Sequence, residues 1–159
     1  MQQVADALLQ TIDTALPLLQ AIGEETASTK PQPGKWSYKE IIGHLIDSAC
    51  NNQQKFVRCI MQDGVDFVIY EQDEWVATQQ YNKANWQELL LEWHHYNRHL
   101  AHIIRHTDAA LHGHTIYISG KGPFTLGFIM PDYVEHLKHH LKTILPNEAL
   151  LQNSFKMVY

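Results

Sequence analysis

Apolar residues recur every three to four positions from the start of the chain. Val4, Leu8, Ile12, Ala15, Leu16, Leu19 and Ile22 share one face, which predicts a helix over residues 2–22 with Gly23 as its stop. Pro17 falls inside that pattern and has no N–H to offer Asp13, so a kink is expected there. Residues 24–35, EETASTKPQPGK, hold two prolines and a glycine and read as a loop. Ser37 and Glu40 form a capping-box pair ahead of a second periodic run, so a second helix is expected from Tyr38 to about Met61. Residues 62–84 show turn chemistry at Asp63-Gly64 and no sustained period, and read as a long connection. Asn85 and Glu88 open a third helix that continues to about Thr107. Residues 112–123 combine a β-branched and aromatic stretch with Gly120, Gly122 and Pro123, an extended excursion or small hairpin. Thr125 caps a fourth helix to about Leu145, bent early by Pro131 and ended by Pro146, with a short final turn from Asn147.

Four long helices without a strand-rich region predict an all-α protein, a four-helix bundle with a long crossover connection, forming a single domain over residues 1–159. Leu45, Phe56, Leu100, Ile104, Leu137 and Leu141 sit centrally on the apolar faces and are its expected core.

Composition narrows the function classes. A chain of 159 residues with 45% hydrophobic and 18% charged residues can bury a real core and is not a disordered tail. Seventeen acids against 12 bases give a net charge of −5, and no Lys/Arg run reaches the density of a nucleic-acid patch. Apolar runs are far shorter than a membrane span, and MQQVADALLQ lacks the basic and apolar regions of a signal peptide. Cys50 and Cys59 lie on one predicted helix, ~13.5 Å apart by helical rise, too far for a disulfide. A reducing cytoplasmic setting follows as the expectation. Ser119-Gly120-Lys121-Gly122 lacks the spacing of a phosphate loop, and no nucleophile elbow is present.

The composition's unusual number is 11 histidines. His136 and His140 fall ~40° apart on one helical face, the spacing a single metal needs from one helix. With this many histidines roughly 0.7 such pairs arise by chance, so two ordinary histidines at the edge of the apolar stripe fit as well. His95, His99, His102 and His106 form a stripe within ~60°, opposite the apolar residues Trp86, Trp93, Leu100 and Ile104, and read as a solvated face. His44 shares a polar stripe with Ser48, Asn51 and Lys55. Periodicity leaves open whether that stripe faces solvent or walls a polar cleft.

The segment Pro33-Gly34-Lys35-Trp36-Ser37, followed by His44-Leu45-Ile46-Asp47-Ser48, resembles the second-helix signature of the DinB superfamily, closest to its YfiT-like branch of metal-dependent hydrolases and bacillithiol S-transferases. Tyr70-Glu71 with Trp75 is similar to the Tyr…Trp segment of that branch, and Tyr133 to His140 resembles its Y-x-x-H-x-x-H-H signature. The likeness runs in order over roughly residues 30–145. It implies a metal held by His44, His136 and His140, a four-helix bundle with a long crossover, and a homodimer. Gly43, Ala49 and Thr143 depart from positions where members of that branch often carry further histidines.

Three neutral imidazoles would leave a divalent metal a coordination position for chemistry; zinc or nickel suits them first, with iron also admitted. Asp47, three residues after His44, and Asp132, one turn before His136, are candidate acceptors for the ligands' second nitrogens. Ser48, Asn51 and Tyr133 share faces with the ligands and are candidate pocket-lining residues. The expectation is an enzyme that transfers a thiol to, or hydrolyses, a small electrophilic substrate, with a low-molecular-weight thiol as partner and neither nucleic acid nor membrane involved. The alternative is a non-catalytic metal- or ligand-binding bundle.

Overall fold

The structure, a computed structural model, describes residues 1–155. Six helices carry the fold: α1 (Gln2–Gln20), α2 (Glu24–Ser28), α3 (Tyr38–Met61), α4 (Gln72–Gln79), α5 (Trp86–His106) and α6 (Leu126–Ile144). The four long ones, α1, α3, α5 and α6, match the four predicted from periodicity. α1 packs on α5 and α6, and α3 packs on the same two, so the bundle closes in the cyclic order α1–α5–α3–α6. Ser37 and Glu40 make both bonds of the capping box at the start of α3, and the Asn85 side chain accepts from the Glu88 N–H at the start of α5. Pro17 and Pro131 are both accommodated inside their helices. The six expected core residues are fully buried. No helix among the described residues is long and apolar enough to cross a membrane.

The fold is not strictly all-α. Three short strands, β1 (Val65–Phe67), β2 (Thr115–Ile118) and β3 (Lys121–Thr125), form one sheet in the order β1-β2-β3. The β2–β3 hairpin is the predicted excursion; its two turn residues, Ser119 and Gly120, take φ of 48° and 77°, the left-handed geometry that a two-residue hairpin turn requires. β1 pairs parallel to β2 from inside the region read as a connection. A parallel pair needs a crossover, and here α4 and α5 supply it. Three residues are too few to display a period, and the partner lies about 50 positions away, so β1 leaves no local signal. The same region holds α4, whose one buried residue is Val76 and which therefore lacks an apolar stripe. Likewise the polar segment read as a loop begins with the five-residue helix α2, whose Glu24 carboxylate accepts from Lys39 Nζ and from the Trp86 N–H.

Candidate metal centre

Two helices build the site. The capping box fixes where α3 starts, so His44, Ser48, Asn51 and Lys55 emerge as one stripe along it. α6 lies against α3 and presents Asp132, Tyr133, His136 and His140. Between the helices His44, His136 and His140 converge. Ring centroids are 4.6 Å apart for His44–His140 and for His136–His140, and 5.4 Å for His44–His136. One nitrogen from each ring lies within 4.8 Å of the others, and the two Nε2 atoms of α6 are 3.2 Å apart. Trp36, just before the α3 cap, roofs the cluster with its ring 5.0 Å from His44 and 6.5 Å from His140.

His44 is only 2% exposed, so its polar stripe is a cleft wall rather than a solvent face. Neither of its ring nitrogens has a hydrogen-bond partner. Leaving a buried polar group unsatisfied costs about 1–3 kcal/mol, which marks His44 as a residue built for something beyond protein contacts. Burial, with the neighbouring His140, pulls the pKa of His44 down to about 4. His136 is held at about 3 by burial and by His140, His44, His139 and Lys55, and His140 at about 4 by burial and His139. All three are therefore neutral imidazoles at physiological pH, the form that offers a lone pair.

Ser48, expected to line the pocket, also lies with Oγ 3.4 Å from His136 Nδ1. That contact leaves Nε2 of His136 as the nitrogen facing His140. Asn51 and Tyr133 border the cleft, but the Tyr133 hydroxyl is turned into the core, where it donates to Asn97 Oδ1. Asp47 is a correction. It does not reach His44; its Oδ1 accepts from Gln79 Nε2 at 2.7 Å and from the Tyr81 hydroxyl at 2.8 Å. Three residues along a helix is a 300° turn, and the Tyr81 ring packed over Gly43 draws the carboxylate to that side. Asp132 lines the cleft beside His136. The His95, His99, His102 and His106 stripe is exposed on α5, away from this cluster.

His44 and His136 line a cleft of about 450 Å³, within the usual range of small-molecule sites, and His140 lines a neighbouring hollow with Trp36. His44, Ser48, Lys55, Asp132 and His136 line the cleft's α3 and α6 walls, and residues 69–72 form the opposite rim. Two residues of this site carried no chemical role in the sequence reading. Trp36 appeared there only within a motif, and Lys55 only as a member of a polar stripe.

Comparison with known proteins bears on the fold and the family. No curated protein matches the chain at a significant level. Among solved structures, YfiT from Bacillus subtilis, described as a probable metal-dependent hydrolase with an unusual four-helix bundle topology, superposes with a TM-score of 0.82 over 91% of this chain and 83% of that one. The two are 17% identical, so the likeness speaks for the fold. The family model described as the DinB superfamily matches residues 7–144, which takes in most of α1, all of α3, α5 and α6, and the three histidines: the chain belongs to the DinB superfamily.

Proposed function

We propose that this protein is a metal-dependent enzyme acting on a small electrophilic substrate, either hydrolysing it or transferring a low-molecular-weight thiol to it. In this reading His44, His136 and His140 hold one divalent ion, zinc or nickel first and iron also admitted. The observation that carries it is the convergence of three neutral imidazoles, one with both nitrogens orphaned, at the side of an open cleft. The donor set fits a catalytic metal: three protein ligands and room beside them for a substrate. When bound, such an ion supplies Lewis acidity, lowering the pKa of a water or thiol brought to it.

The chain's own residues do the rest. Ser48 holds the His136 ring in orientation through Nδ1. Trp36 excludes water from one side of the cluster. The description of YfiT as a probable metal-dependent hydrolase supports the hydrolytic form of the reading. The free thiols of Cys50 and Cys59 support a reducing, cytoplasmic setting, and the resemblance supports a homodimer.

Metal analysis of the purified protein beside His140→Ala tests this reading. About one ion per chain is expected in the parent protein and a large loss in the variant. Full stoichiometry in His140→Ala would sink the metal site. A loaded protein that turns over neither activated esters nor thiol-plus-electrophile pairs would instead be the non-catalytic binding bundle.

A further inference from the structure

The cleft is not uniform along its length. Moving away from the histidines along α6, its lining passes from His136 through Asp132 to Ile129, and there it opens into a second cavity of about 270 Å³. The two cavities share Ile69, Ile118, Ile129 and Asp132, so they form one continuous groove. The far cavity is mainly apolar, floored by Phe124 and Phe128, whose rings stack 5.8 Å apart at 22°. Both rings are half-buried and present the shelf to the groove.

Lys55 lies on the α3 wall between the histidine end and this shelf. Its ammonium sits 5.3 Å above the Phe67 ring, and burial pulls its pKa below the usual lysine value. Asp132, across the groove on α6, offsets part of that cost. One carboxylate does not use up an ammonium, which has three donors in rotatable positions. Lys55 lines the same cleft as His44 and His136, so its charge faces the space beside the reacting end. A cation held part-buried at the seam of a polar and an apolar half-site is the arrangement that recognises an amphiphilic anion.

Resting on the metal-enzyme reading above, we infer that the substrate is such an anion. Its apolar, ring-sized or branched portion lies on the Ile118, Phe124 and Phe128 shelf, its carboxylate-like group meets Lys55, and the bond to be attacked points toward His44, His136 and His140. Uncharged molecules of the same shape are then poorer ligands, because they desolvate the Lys55 ammonium further and add no counter-charge to that of Asp132.

The test uses the full chain and two probes, para-fluorophenylbutanoate and its primary amide, followed by fluorine-detected NMR titration with metal-loaded and with metal-free protein. The acid is expected to bind at least about tenfold more tightly than the amide in both preparations, since the discrimination comes from a charge pair. Lys55→Met should abolish that preference, Lys55→Arg should keep it, and Phe128→Ala should weaken both probes several-fold alike. An acid preference that persists in Lys55→Met, or that appears only with metal and so reflects direct ligation, would overturn the inference. So would equal affinity of the two probes for the parent protein, or no detectable binding of either at about 10 mM. If Lys55→Met proves unfolded and Lys55→Arg loses the preference, Lys55 is a helix clamp and the inference fails. Metal content measured on the same samples separates the outcomes: protein that never holds metal yet prefers the acid sinks the metal reading and leaves this one standing.

Discussion

Single contacts around the histidines decide how the site is held. Ser48 Oγ stands 3.4 Å from His136 Nδ1, while Asn52 Nδ2 approaches the same oxygen at 3.3 Å. Ser48→Ala removes the partner that fixes which nitrogen of His136 faces the cluster. Metal affinity should fall about tenfold, the lower end for loss of a ligand's supporting bond, and Ser48→Thr should restore most of it. Competition against a chromogenic chelator reads this directly; unchanged affinity in Ser48→Ala would remove Ser48 from the site. Gly43 makes a different case. A Cβ there would lie 2.1, 2.2 and 2.6 Å from three atoms of the Tyr81 ring. Replacing a mid-helix glycine with alanine ordinarily gains up to about 1 kcal/mol. Here the ring is buried and its hydroxyl is bonded to Asp47, so the clash outweighs that gain. Gly43→Ala should destabilise by about 1–3 kcal/mol in urea unfolding, and by much less in a Tyr81→Ala background where the ring is gone. The sequence marks Gly43 as a departure from the histidines common in the branch it resembles. Only the fold shows that the space is taken by Tyr81.

At the scale of elements, legibility follows length and burial. α1, α3, α5 and α6 each bury a full apolar stripe over 19–24 residues, and each is announced by its period. α4 buries Val76 alone and β1 has three residues, so neither produces a pattern; they owe their form to β2 and to α3, against which they pack. α6 also buries a charged pair on its back face, which its period does not announce. Opposite its histidines, Glu135 and Lys138 are 0% and 2% exposed and paired at 3.7 Å. Glu135 Oε1 accepts from the N–H groups of Ser154 and Phe155, and Lys138 Nζ donates to Ser154 Oγ and the Gln152 carbonyl. This pair straps the end of the described chain to α6. Removing one member strands the other, so Glu135→Ala should cost about 3–5 kcal/mol, whereas the double change Glu135→Leu with Lys138→Met should cost clearly less. Denaturant unfolding of the two variants checks the order; equal losses would mean that the backbone bonds, not the charges, hold the strap.

For the whole molecule, the decisive fact is convergence across chain distance. His44 and His136 are 92 positions apart, and no local pattern says that they meet. Periodicity puts His44 on a polar stripe and leaves its surroundings open; packing α3 against α6 makes that stripe a cleft wall. The same burial sets how the protein answers to acid. In the unfolded chain a histidine titrates near ~6.5, whereas in the folded chain His44 and His140 titrate at about 4 and His136 at about 3. Below ~6.5 the unfolded state therefore takes up protons that the folded state refuses, so stability of the metal-free protein is highest above that pH and falls as acid is added toward pH 4. His136→Gln should flatten this fall, because it removes the group with the largest shift; a slope unchanged by the substitution would mean that other groups set it. Ligand competition runs on the folded values instead. With three rings already neutral, metal affinity of the folded protein should hold nearly constant from pH 7 to about 5 and drop only on approach to about 4. Titrating metal at fixed pH steps, with folding followed in parallel by circular dichroism, separates the two effects; affinity already lost at pH 6 in fully folded protein would show that the rings are more open to protons than their burial implies.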